Sequence, residues 1–354
     1  MRDIYAHKYK YTEYFRACIG KNEKGNYIYK RFSGHSDVSK KAAKREAFLA
    51  AELWMSQHDT KRIQHSMALR TAYEGYITMK ENVLSPSTIR SYYTIYRNSF
   101  KELMDKRVCD ITQVDIQRAV NIDAITHSPK TIRSYHGLLS AVLSVYRPDM
   151  ILHTTLPKKM PTEIYIPGNA DIENLIVEIQ KIDPELYKAI LLAAFGSLRR
   201  SEVMALTVDD IVGDTIRIHK AAVFNKDNKV VVKNSTKSIT STRVVSLPHE
   251  IIEKLTSSSD DGRIVNMSLG ALTKRFSRAL ESIGMHHFRF HDLRHYQASI
   301  LHAMGVPDKY IMERGGWKTD STLKNIYTHT MSEKRKEIEH KICEYFSDEF
   351  ADAL

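Results

Sequence analysis

The sequence predicts a multidomain chain: a small N-terminal α+β module (a three-stranded sheet plus a helix), an all-α bundle, and a mainly α domain with a small antiparallel sheet. Three observations predict it. At 354 residues the chain exceeds what one hydrophobic core usually serves. Its apolar pattern runs from alternation to helical spacing, with a second alternating stretch over 215–247. An irregular, proline-bearing stretch, 151–168, separates two helix-rich halves.

The first module spans 1–62. Tyr9-Lys-Tyr11, Tyr14-Phe-Arg16 and Tyr27-Ile-Tyr29-Lys-Arg-Phe32 alternate, and Gly20–Gly25 and Ser33-Gly34 interrupt them, as short antiparallel strands with tight turns do. A helix follows from Ser39, with Ala42, Ala43, Ala47, Leu49, Ala50, Leu53 and Trp54 available for its buried side. Basic residues outnumber acidic ones here, and strands can read a DNA groove, so Tyr9, Lys30 and Arg31 are candidate DNA contacts. A solvated protein-binding module has the same composition.

The second module, 66–150, contains an echo. Ser85-Pro-Ser-Thr88-Ile-Arg90-Ser-Tyr92 returns as Ser128-Pro-Lys-Thr131-Ile-Arg133-Ser-Tyr135. Serine at the N-cap and proline at the first helical position start each helix. Capping explains Ser and Pro without requiring the matching Thr and Arg. Helix N-termini carrying hydroxyls and a guanidinium suit phosphates, which makes Ser85, Thr88, Arg90, Ser128, Thr131 and Arg133 candidate DNA contacts. Apolar stripes at Ile95, Phe100 and Leu103, and at Leu138, Leu139, Val142 and Leu143, predict a bundle of four or five helices.

The third module, 169–354, opens with helices at Ile172–Lys181, Pro184–Phe195 and Ser201–Leu206. It continues with three alternating runs over 215–247, and helices fill most of 249–346. It also carries the chemistry. His291-Asp-Leu-Arg294-His295 lies upstream of Gly315-Gly316-Trp317 and Tyr327, and Arg199 sits in Gly196-Ser-Leu-Arg199-Arg200-Ser-Glu202. Two arginines match the non-bridging oxygens of a phosphodiester, and a phenol can attack its phosphorus.

Net charge of +11 and a pI near 9.3 fit a polyanionic partner. Cys18, Cys109 and Cys343 lie far apart, which argues against a disulfide framework or a zinc site and for a reducing compartment. The N-terminus lacks a signal-peptide core and no run is long enough to span a bilayer, so the expectation is a cytoplasmic, nucleoid-associated protein of a bacterial host cell. Asp209-Asp210 and Asp260-Asp261 are adjacent pairs in loop-like contexts, so no metal site is expected; no phosphate-binding Gly-rich loop appears either, and no cofactor is expected.

Four motifs in order across roughly 170–335 resemble the catalytic domain of tyrosine recombinases, the phage-integrase family. They are the Arg199 box, the segment Thr236-Lys237-Ser-Ile-Thr-Ser-Thr-Arg-Val-Val-Ser-Leu-Pro248, the His291-x-x-Arg294 box, and Gly316-Trp317 followed by Tyr327. The resemblance implies that Tyr327 is the nucleophile and that Arg199 and Arg294 hold the phosphate. It implies His291 as general base, Lys237 as the acid that protonates the leaving 5′-oxygen (Lys233 being the alternative), and Trp317 as a hydrogen-bond donor to the phosphate. Glu202 is expected to orient an arginine and His295 to support the site, whereas Arg200 reads as a surface ion pair.

More loosely, 1–62 resembles the arm-type DNA-binding domain of long phage and conjugative-transposon integrases, and 66–150 the core-binding domain. The reaction implied is site-specific integration and excision of a mobile element through a 3′-phosphotyrosyl link and a Holliday junction. The partners implied are double-stranded DNA at core and arm sites, a homotetramer on paired duplexes, and excisionase or DNA-bending accessory proteins, without a membrane. The tail Lys334–Phe346 has helical apolar spacing and could pack on its own domain or on a neighbour. Type IB topoisomerase-like relaxation and a non-catalytic DNA-binding protein are the alternatives; the two-part N-terminal half argues against the first and the aligned catalytic residues against the second.

Overall fold

The structure is a computed structural model that describes residues 9–21, 27–57, 67–159, 165–234, 242–256, 262–320 and 323–324, with residues 340, 342–344 and 347 near the C-terminus. It is mostly helical with small antiparallel sheets. The chain divides into two compact units: residues 1–161 with 225–228, and 162–224 with 229–354.

In the first unit, β1 (Tyr11–Lys21) and β2 (Tyr27–Ser36) pair antiparallel, with an irregularity between Cys18 and Gly20. The described residues thus hold two strands where the sequence predicts three, because the alternation through Tyr14-Phe-Arg16 continues unbroken into one long strand. Helix α1 (Lys40–Gln57) covers the sheet with Ala43, Ala47, Phe48, Ala51 and Met55. That phase also departs from expectation, since Leu49 and Leu53 are exposed. The small side chains go inward because the sheet comes very close: a methyl group on Gly34 would overlap the backbone of Ala43 and Ala47. Four helices follow, α2 (Leu69–Lys80), α3 (Pro86–Asn98), α4 (Gln113–Ala124) and α5 (Pro129–Tyr146). Their shared core buries Ile95, Phe100, Leu103, Ile132, Leu138, Leu139, Val142 and Leu143. Residues 151–159 are irregular.

The second unit is built around α7 (Pro184–Gly196), whose Ala189–Ala194 are all buried. Asp183 caps its start, accepting from the Leu186 amide at 3.0 Å. Around α7 lie α6 (Asn169–Ile182), the short α8 (Arg200–Val203), α9 (His249–Thr256), α10 (Leu269–Ser282), α11 (Asp292–Ala303) and α12 (Asp308–Gly315). The expected single three-stranded sheet is instead two sheets. β4 (Thr215–Ile218) pairs with β3 (Ile211–Val212) and β7 (Arg243–Ser246), while β5 (Lys220–Phe224) and β6 (Val230–Asn234) form a separate hairpin. β5 reads Lys-Ala-Ala-Val-Phe, which barely alternates, so its pairing with β6 leaves little mark on the sequence. Among the described residues no helix is long and apolar enough to cross a membrane.

Candidate active site

The site grows from the end of α7. Ser197 closes that helix in the left-handed region, at φ 57°, which is unusual for a residue with a side chain. This reversal turns the Ser197 carbonyl toward two guanidinium groups. Nη1 of Arg294 donates to it, and Nη2 of Arg243 donates at 3.4 Å.

Arg199 follows and caps α8. Its amide donates to Oε2 of Glu202 at 2.9 Å, its Nη1 to Oε1 at 2.8 Å, and its Nη2 to the carbonyl of Gly316 at 2.7 Å. Glu202 also accepts from Arg243, whose Nη2 lies 2.8 Å from Oε2. Burial alone would raise the Glu202 carboxyl, but the hydrogen bond and charge of Arg243, joined by Arg199, hold it at about 2. Arg243 was missed as a functional residue. Its signal was the inward phase of β7, where Arg243 and Val245 are buried and Val244 is exposed. Arg314 was also missed; its Nη2 donates to the carbonyls of Phe195 at 3.0 Å and Ser246 at 2.9 Å, tying α12 to α7 and β7.

Helix α11 starts after His291 and brings His291, Arg294 and His295 to one face by their i, i+3, i+4 spacing. Asp292 fixes that start by accepting from the Arg289 amide at 2.7 Å and from its guanidinium. Arg294 is fully buried, and its Nε and Nη2 lack a hydrogen-bond partner among the described residues. Burial, then the charges of Arg199 and Arg243, depress its hold on a proton well below the usual arginine range. Arginine keeps its proton in proteins, so an anion placed against Nε and Nη2 would relieve this conflict.

The His291 and His295 rings meet edge to face, 4.8 Å between centroids. Desolvation by the surrounding protein, then the charge of Arg294, pushes His291 down to about 4, although the residue is exposed. Burial, then His291, does the same to His295. Both are therefore neutral at pH 7, the form that accepts a proton.

Trp317 follows the left-handed Gly316 (φ 64°) that ends α12. Its ring centroid lies 3.9 Å from Cζ of Arg294, so the indole covers the guanidinium. Arg200 is exposed and donates to the Thr273 hydroxyl at 2.8 Å, an uncharged acceptor where an ion pair was expected. Lys237 and Tyr327 lie outside the described residues, as does most of the Lys334–Phe346 tail. Among the described residues no group of three or more His, Cys, Asp or Glu could hold a metal ion.

The candidate DNA contacts of the first unit divide by environment. Ser85 caps α3, accepting from the Thr88 amide at 3.3 Å, and the two hydroxyls lie 2.8 Å apart. Ser128 caps α5, with the Thr131 amide at 3.3 Å and its hydroxyl at 3.0 Å. The matching threonines therefore have a role within the cap itself. Arg133 donates to the Pro157 carbonyl at 3.0 Å, Tyr135 is buried in the bundle, and Arg90 is exposed. On the outer face of the sheet Arg31 stacks 3.4 Å from the Tyr14 ring centroid and Arg16 4.4 Å from that of Tyr29. Lys30 points to the opposite face, its Nζ 4.1 Å from the Trp54 ring centroid, and Tyr9 stacks on His35.

Comparison with known proteins gives the same picture. Residues 169–334 match the phage integrase family. A XerC-like tyrosine recombinase of Caldanaerobacter subterraneus subsp. tengcongensis is 28% identical, over 91% of this chain and 94% of the relative. The Tn1549 transposon integrase, solved with transposon right end DNA, superposes with a TM-score of 0.62 at 18% identity, covering 77% of this chain and 99% of that one. The lambda integrase tetramer bound to a Holliday junction gives 0.57 at 18% identity, covering 87% and 91%. Residues 169–334 carry the phage integrase family domain, and the chain is a tyrosine-type site-specific DNA recombinase.

Proposed function

We propose that Arg199 and Arg294 hold one scissile phosphate of duplex DNA and that Tyr327 attacks it. The observation that carries this reading is the buried Arg294 guanidinium, with two N–H-bearing nitrogens unpartnered among the described residues, beside Arg199 and Arg243, both of which bond Glu202. Such a cluster neutralises the charge that grows on a pentacoordinate phosphorus. His291, neutral near pH 7, takes the phenol proton as the Tyr327 oxygen bonds to phosphorus. The bond to the 5′-oxygen breaks, and Lys237 supplies that oxygen with a proton. The product is a 3′-phosphotyrosyl link and a free 5′-hydroxyl. A 5′-hydroxyl from the partner duplex then attacks the link, returning the proton and releasing Tyr327. A second round on the other strands resolves the Holliday junction, integrating or excising the element.

The finer organisation is part of the same reading. Residues 1–62 form the arm-binding domain with connecting helix, 66–150 the core-binding domain, 151–168 the linker and 169–354 the catalytic domain. The exposed Arg–Tyr face of β1 and β2 supports the first assignment. Four protomers act on two duplexes, by likeness to the lambda integrase tetramer on its junction, with excisionase or DNA-bending proteins setting direction in a bacterial cytoplasm.

The test is covalent trapping on a nicked suicide duplex. Wild type is expected to form the adduct, and Tyr327→Phe to form none while binding the duplex with unchanged affinity. An adduct that survives Tyr327→Phe places the nucleophile elsewhere, and supercoil relaxation without junction formation would favour topoisomerase chemistry.

A further inference from the structure

We infer that Trp317 is a positioning residue for Arg294 and works through the face of its indole ring; this rests on the proposal that Arg294 holds the scissile phosphate. The guanidinium has two anchors. At its edge Nη1 donates to the Ser197 carbonyl, and across its plane lies the indole, 3.9 Å from Cζ. Together they fix where Nε and Nη2, the nitrogens left without partners, can point.

The indole is itself held. A methyl group on Gly315 would overlap its six-membered ring, so the ring lies directly on that backbone. The Trp317 amide donates to the Met312 carbonyl at 2.9 Å, and the ring packs beside Ala298, Ile311 and Leu323. One residue earlier, the Gly316 carbonyl accepts from Nη2 of Arg199. A single turn, Gly315–Trp317, therefore orients both arginines, one by a carbonyl and one by a ring face.

Stacking of a guanidinium on an indole is electrostatic attraction to the ring's negative face. Fluorine drains that face while adding little volume, and it makes the indole N–H a better donor. The two possible roles of Trp317 thus respond in opposite directions.

The experiment places tryptophan carrying zero, one, two or three ring fluorines at position 317 of the full chain by nonsense suppression. It reads single-turnover adduct formation on a nicked core duplex. The rate is expected to fall with each fluorine, by roughly threefold to thirtyfold across the series for a cation–π contact of ordinary strength. Trp317→Phe, which keeps an aromatic face and lacks the N–H, should stay within about threefold of wild type, whereas Trp317→Ala should lose more than about tenfold. A level or rising rate across the series, or Trp317→Phe as impaired as Trp317→Ala, overturns this inference alone. A native chain that makes no adduct overturns the proposed function and this inference together.

Discussion

Glu202 and Arg243 form a buried ion pair, with Nη2 2.8 Å from Oε2 and Nη1 3.2 Å from Oε1, and the same carboxylate bonds Arg199. Arg243 is anchored again by Nε to the Arg314 carbonyl at 2.7 Å. One acidic side chain thus fixes the spacing between Arg199 and the strand that carries Arg243.

Removing that carboxylate strands buried positive charge. Glu202→Ala is expected to lower unfolding stability by about 3–5 kcal/mol, read by denaturant titration. Arg243→Ala, combined with Glu202→Ala in a double-mutant cycle, should show strong non-additivity. The pH sign follows from a carboxyl lowered to about 2 in the fold: its stabilisation is complete above about 4.5 and drains away as pH falls toward 2. Additive single-mutant effects would refute the pairing.

The two histidines act with the opposite chemistry. Held near 4 in the fold, they stay neutral while an unfolded chain, near 6.5, takes up protons. Stability should be complete above about 6.5 and decline as pH drops from there toward about 4. His295→Gln should flatten part of that decline. Imidazole NMR titrations that place both midpoints near 6.5 would contradict it.

Ser197 tests the turn. Its left-handed backbone carries a penalty that glycine avoids, so Ser197→Gly is expected to stabilise the protein by up to about 1 kcal/mol. The carbonyl that holds Arg243 and Arg294 belongs to the backbone, so adduct formation should be unchanged. A lower thermal midpoint would show that the hydroxyl matters more than the φ angle.

The repeated helix starts separate capping from DNA contact. Ser128→Ala should cost about 1 kcal/mol of stability. Ser128→Asp keeps a capping oxygen and adds negative charge, so it should hold stability while weakening core-duplex affinity if a phosphate sits there. Unchanged affinity for the aspartate variant would leave capping as the serine's whole role.

What the sequence revealed follows from range. His291, Arg294 and His295 converge through spacing within one helix, and their shared face was legible before any coordinates. Their meeting with Arg199 and Trp317 was legible only through the resemblance to a family. Arg243 sat in a segment already singled out, yet its partner Glu202 is 41 positions away, and no local pattern announces such a pairing. The phase of α1 was misjudged because its leucines, Leu49 and Leu53, face outward while alanines face inward; the close approach of Gly34 decides which side is buried, and it depends on the sheet.

The hidden position of Arg294 has a thermodynamic corollary. Its charged guanidinium lies in the interior, with Nε and Nη2 unpartnered among the described residues. A nucleic acid backbone that satisfies them binds the native form alone, so loading the protein with its target duplex should make it harder to melt. The substrate would then complete the architecture it is cut by.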